Sequence, residues 1–218
     1  MPLFTGALHS LDAHRVKTYA TGRGAKDFTD DDILDACKSV LAAIKPQGTY
    51  QQCFYDPASK SMLCDAPFDI KGEDIAMRLE RVQITLAIVV TLGTAVDDLI
   101  DQAYVAKDFT KGILLDSAAA IALQAVTEEM TTYLDVIGKK KGYSVSWRWS
   151  PGTGDWPQSQ DKELAKAAHG ETIGVTSTES GMLTPRKSVA AFVGMEFDTE
   201  GCSPTACSAC ALAGRCHG

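Results

Sequence analysis

Arg148-Trp149-Ser150-Pro151-Gly152-Thr153-Gly154-Asp155-Trp156-Pro157 is the stretch around which the rest of the chain reads. Pro fixes φ, and Gly opens backbone conformations and close approaches that a Cβ forbids. The guanidinium of Arg148 is a rigid fork of donors matched to a carboxylate. The stretch reads as a loop shaped to hold a small ligand. An ordinary Pro/Gly turn anchored by two tryptophans is the competing reading.

Upstream, Tyr143 to Trp147 alternates as a strand that delivers the chain into this loop. Before it, a long helix is predicted from about Thr110 to Lys139. Leu115, Ala119, Ala122, Val126, Met130, Tyr133 and Ile137 recur at steps of three and four and form one apolar face. Ser117, Gln124, Glu128, Thr131 and Asp135 fall on the other side, where periodicity favours a solvent-facing stripe. Gln124 and Glu128, four apart, are neighbours on that surface. Lys139-Lys140-Lys141-Gly142 ends the helix, with cations at the negative end of its dipole.

Downstream, a helix is predicted over 159–168, a strand over 172–178, a turn over 179–185 and a last strand over 187–195. Towards the N-terminus, Thr29 caps a helix that runs to Pro46, with Asp30, Asp31 and Asp32 in its first turn. Strands over 49–55 and 61–64 form a hairpin, across which Cys53 and Cys64 face each other or sit as small core residues. A short helix over 72–81, a buried strand over 82–91 and a helix begun by Thr94 follow. Asp97, Asp98 and Asp101 read as a solvated face of that helix rather than a metal site. Residues 1–28 are weakly patterned. Mixed helices and strands without a strict βαβ rhythm predict an α+β fold, with a largely antiparallel sheet flanked by helices.

The chain has 218 residues, of which 45% are hydrophobic, enough for a sizeable core. Its net charge of −7 argues against nucleic acid as a partner. Met1 to Ser10 lacks the pattern of a signal peptide, and the most apolar run, Ile84 to Leu92, is far short of a membrane span. A cytoplasmic protein is expected.

Two units are predicted: a body over 1–198 and a cysteine-rich tail over 199–218. The tail reads C-x4-C-x2-C-x5-C through Cys202, Cys207, Cys210 and Cys216. Four thiolates at this spacing can enclose one iron–sulfur cluster or one tetrahedral zinc. Disulfides or free thiols are the remaining readings.

From about Val82 to Met195, the chain resembles the activation (reactivation) domain of vitamin B12-dependent methionine synthase. The resemblance is carried by Thr91-Leu92-Gly93, Leu114-Leu115-Asp116, the 148–157 loop, and Ile173-Gly174-Val175-Thr176 through Pro185-Arg186-Lys187-Ser188-Val189, in the family's order. It implies a curved antiparallel sheet with S-adenosylmethionine bound beside it. It also implies docking on a cobalamin-binding partner, a methionine synthase or another corrinoid protein, with a flavodoxin or ferredoxin as electron donor. There, an electron plus a methyl group from S-adenosylmethionine returns oxidised cob(II)alamin to methylcobalamin.

Carried over by position, Arg148 holds the ligand's carboxylate, and Ser150, Pro151, Gly152, Thr153 and Gly154 wall the pocket. Where the family has a glutamate for the ligand's ammonium, this chain has Gln124, so Glu128 is the candidate for that role. Thr153 stands where the family has tyrosine, removing an aromatic face beside the adenosyl group. No Asp-x-His-x-x-Gly segment is present, so cobalamin is expected to come with the partner.

The first functional reading is therefore reactivation of a corrinoid methyltransferase by S-adenosylmethionine. The alternative is an iron–sulfur electron-transfer activator of a corrinoid protein that makes little or no use of S-adenosylmethionine. A third reading is a non-catalytic docking subunit with a zinc-stabilised tail.

Overall fold

The computed structural model describes residues 2–198. The predicted tail unit, with Cys202, Cys207, Cys210 and Cys216, lies outside the described residues.

The strands are β1 (Leu3–Thr5), β2 (Gln47–Asp56), β3 (Ser61–Leu63), β4 (Phe68–Asp69), β5 (Ile84–Thr91), β6 (Tyr143–Trp149), β7 (Thr176–Ser177), β8 (Leu183–Thr184) and β9 (Ser188–Phe197). The helices are α1 (Ala13–Gly22), α2 (Asp30–Ala43), α3 (Glu73–Leu79), α4 (Ala95–Val105), α5 (Phe109–Lys139) and α6 (Asp161–Ala167). The main sheet runs β4-β3-β2-β5-β9-β6, with β1 also on β2, and every pairing is antiparallel. The fold is α+β, a largely antiparallel sheet flanked by helices.

The central strand β5 is buried on both faces, which explains its unbroken apolar run. Leu86, Ile88 and Val90 point into a core shared with α1, α2, α4 and α5. Ala87 and Val89 point into a second core with α3, α6, Trp156 and Phe192. α2 begins with a capping box, Thr29 accepting from Asp32 N while the Asp32 side chain accepts from Thr29 N. Thr29 and Asp32 also hydrogen-bond through their side chains, and these bonds hold the Asp32 carboxyl below its ordinary range.

Among the described residues, α5 is the one helix long and apolar enough to cross a membrane by length and composition. Its apolar side is instead packed into the first core through Leu114, Leu115, Ala118, Ala122, Val126, Met130 and Leu134.

Several expectations need correction. Ser117 is fully buried rather than part of a solvent stripe, because α5 is covered by the sheet and by three other helices. Thr131 and Asp135, also assigned to that stripe, are half-buried and bond to β6. The stretch 172–178 is a 3₁₀ turn over Gly170–Ile173 followed by the two-residue strand β7. The acidic face of α4 is solvated at Asp98 and Asp101, but Asp97 is half-buried, and both Asp97 and Asp101 engage Arg186, which donates from its backbone N to Asp97 Oδ2 at 2.7 Å and from Nη2 to Asp101 Oδ1 at 2.6 Å. Residues 1–28 contain β1 and α1, which the weak patterning concealed.

Candidate functional site

The site begins with an irregularity in β6. Its register on β9 passes from Val145↔Met195 to Trp147↔Gly194, leaving Ser146 out of step in a bulge. One extra residue reverses the alternation of faces. Val145 therefore packs into the α5-side core and Arg148 also meets α5, while Trp147 and Trp149 pack against the opposite core.

Arg148 is half-buried, and its Nη1 donates to Thr131 Oγ1 at 2.9 Å. The Thr131 hydroxyl gives its own hydrogen to the Thr127 carbonyl at 2.7 Å, so its oxygen is free to accept. Burial lowers the pKa of the Arg148 guanidinium from its ordinary value, and the Glu128 carboxylate opposes this by stabilising the cation. Among the described residues, Thr131 is the acceptor that holds Arg148, and the rest of the fork has no protein acceptor. Such a guanidinium suits a ligand carboxylate.

One turn back along α5, Gln124 Nε2 donates to Glu128 Oε1 at 3.1 Å, and Gln124 Oε1 accepts from Arg15 Nη2 on α1 at 2.9 Å. The amide serves as a neutral bridge, facing a cation with its oxygen and an anion with its nitrogen. A carboxylate at 124 would repel Glu128, which is a physical reason for the neutral residue. Both Gln124 and Glu128 are exposed, so a solvent-borne ligand can reach them.

The loop after β6 folds on itself. Thr153 N donates to the Ser150 carbonyl at 3.2 Å, Trp156 N to Thr153 O at 3.1 Å, and Gly152 N to Trp156 O at 2.8 Å. Gly152 and Gly154 have φ of 87° and 60°, the left-handed region that favours glycine. A Cβ at Gly152 would collide with Gln158 Oε1. Pro151 is buried, Ser150 is half-buried, and Gly152, Thr153 and Gly154 are exposed.

The far end of the loop is anchored in the second core. Trp156 stacks on Phe192 with ring centroids 5.4 Å apart, and its Nε1 donates to Gln160 Oε1 at 2.9 Å. Asp155 caps α3 from a distance in sequence, accepting from Glu73 N at 2.7 Å and Asp74 N at 3.2 Å. Behind Gln158 lies Asp161, hydrogen-bonded to the Gln158 amide. Burial pushes the Asp161 carboxyl up to about 6, and the amide opposes this in part.

The structure thus brings Arg148, Gln124 and Glu128 to one α5–β6 surface. The glycines at 152 and 154 neighbour Gln158, Asp74 and Trp149 instead. Thr131 and Arg15 complete the polar line and were not singled out as site residues in the sequence. For Thr131 a signal existed, three residues beyond Glu128 on the same helix. For Arg15 no local signal exists. Cys53 and Cys64 continue the β2–β3 register as neighbours and are both free thiols. Among the described residues, no group of three His, Cys, Asp or Glu side chains could hold a metal ion.

No protein-family model matches this sequence, and no curated protein matches it. Among solved structures, it is similar to the crystal structure of the MetH reactivation domain bound to AdoHcy. The TM-score is 0.57 at 12% sequence identity, over 93% of this chain and 79% of that one. The chain shares the fold of the MetH reactivation domain.

Proposed function

We propose that the chain is the reactivation component of a corrinoid methyltransferase, binding S-adenosylmethionine and presenting its methyl group to a cobalamin-carrying partner. The observation that carries this reading is Arg148, held at one nitrogen by Thr131 with the rest of its fork open beside Glu128. In this role Arg148 takes the ligand's carboxylate and Glu128 takes its ammonium. Gln124 orients Glu128, while Ser150 and Thr153, next along the chain, border the adenosyl end, and Pro151, Gly152 and Gly154 shape the loop that carries them. The fold likeness to a domain solved with AdoHcy supports the same ligand class.

Cobalamin, brought by a methionine synthase or another corrinoid protein, supplies the methyl-accepting chemistry. The chain's own residues orient the sulfonium, so the contribution is positional. Titrating S-adenosylmethionine and AdoHcy into the protein by calorimetry tests the reading. Saturable binding that Arg148→Ala removes, with the circular dichroism unchanged, is the expected result. No binding by the wild type ends it.

A second reading, an electron-transfer activator, is favoured by the spacing of Cys202, Cys207, Cys210 and Cys216 together with Gln124 and Thr153. The four thiolates would hold an iron–sulfur cluster, with zinc as the rival metal and a flavodoxin or ferredoxin as electron source. Anaerobically purified protein that lacks charge-transfer absorbance and contains zinc by elemental analysis would exclude it.

A further inference from the structure

On the sheet face away from Arg148 lies a groove of about 430 Å³ between α3 and β6. We propose that this groove binds a nucleoside phosphate, the ring against Trp147 and the phosphate between Arg78, seated on Trp149, and Arg81. The site is separate from the Arg148 surface and stands whether or not that surface binds S-adenosylmethionine.

Four features carry it. The bulge at Ser146 sends both indoles to this face, two residues apart on one strand. Gly194 on β9 has no Cβ beneath Trp147, and one placed there would enter the indole ring, so the ring lies flat on the sheet as a floor. The Arg78 guanidinium sits over the Trp149 ring, 4.1 Å from its centroid, a cation–π contact that holds a positive charge at the groove. Arg81 follows three residues later, in the turn that ends α3. Neither guanidinium has an ion-pair partner among the described residues, although the chain carries a net charge of −7.

Unpaired guanidiniums beside indole faces suit a ligand that is flat at one end and multiply anionic at the other. Asp74 and Glu196 also border the groove. Their carboxylates would repel a simple aromatic acid placed against them, but they accept hydrogen bonds from ribose hydroxyls or an exocyclic amine. A nucleoside phosphate satisfies all three chemistries, and the volume falls within the range of small-ligand sites. α3 is fixed by the Asp155 cap, so the helix that carries Arg78 and leads into Arg81 is tied to the same loop that leaves Arg148.

Tryptophan fluorescence with AMP as the probe tests the proposal. Trp156 is buried against Phe192, so ligand-dependent quenching reports Trp147 and Trp149. Saturable quenching is expected, weakened at least about tenfold in the Arg78→Gln, Arg81→Gln double variant, with both substitutions at exposed positions. Adenosine and inorganic phosphate, each carrying half the recognition, should bind far more weakly than AMP. Arg148→Ala should leave the AMP response intact. Absence of saturable quenching, equal response to phosphate alone, insensitivity to the double variant, or loss of the response in Arg148→Ala would each overturn the assignment.

Discussion

Arg148 on β6 and Thr131 on α5 are joined by a 2.9 Å hydrogen bond in which the threonine oxygen is the acceptor. The pairing exists because the Ser146 bulge turns Arg148 toward the helix. It fixes one nitrogen of the guanidinium and leaves the others directed elsewhere. Thr131→Val keeps the shape and removes the acceptor, freeing the fork to wander. Affinity for S-adenosylmethionine should fall about tenfold, as expected for a charge-assisted bond worth about 1.5 kcal/mol, and Thr131→Ser should restore it. Calorimetry on the three proteins decides the matter, and equal affinities would show Thr131 to be a bystander.

Gln124 bridges Arg15 and Glu128 through its amide. In Gln124→Glu, two carboxylates meet at hydrogen-bond distance and cannot both ionise freely. One of them should titrate above the ordinary carboxylate range, visible by carbon-detected NMR. Two unshifted carboxyl titrations would show that Arg15 neutralises the pair.

Asp155 accepts from two backbone N–H groups at the start of α3. Asp155→Ala should lower stability by about 1 kcal/mol, the usual cost of losing an N-cap. It should also weaken AMP binding, because α3 carries Arg78 and leads into the turn that holds Arg81. Thermal denaturation and the fluorescence titration read the two effects separately. Asp155→Asn, which can still accept, should retain most of both.

Asp161 predicts an unusual dependence on pH. Its carboxyl is buried and raised to about 6 in the fold, against an ordinary unfolded value of 3.8. The folded state therefore binds this proton more tightly than the unfolded chain, and stability from this group rises as pH falls from about 6 to about 4. Above that window the buried charge costs on the order of 3 kcal/mol. Asp161→Asn should be more stable than wild type at pH 8, with the gain vanishing near pH 4. A constant difference across that range in chemical denaturation would refute the assignment.

Much of the fold is legible locally. The α2 capping box, the continuous apolar run of β5 and the three- and four-residue periodicity of α5 each belong to one segment, and each forms the predicted element with ends shifted by a few residues. The 172–178 region failed because Ile173 and Val175 suggest a strand, whereas Gly170 and Gly174, the latter with φ of 75°, turn the chain instead. The α1 helix was missed because its buried positions, Val16 and Ala20, are too few to set a periodic signal.

By itself the sequence determined most of the element types, the antiparallel α+β class, and a loop whose Pro and Gly residues demand special backbone. Those are properties of short segments, set by dihedral preference and apolar spacing. Only the tertiary structure decided which side chains meet. One bulged residue reverses the faces of β6, sending Arg148 to α5 and the tryptophans to α3. The same packing makes an exposed glutamine the link between two helices and a loop aspartate the cap of a third. Pairings between residues far apart in sequence leave no periodic trace in the chain, because they arise from register and packing between elements.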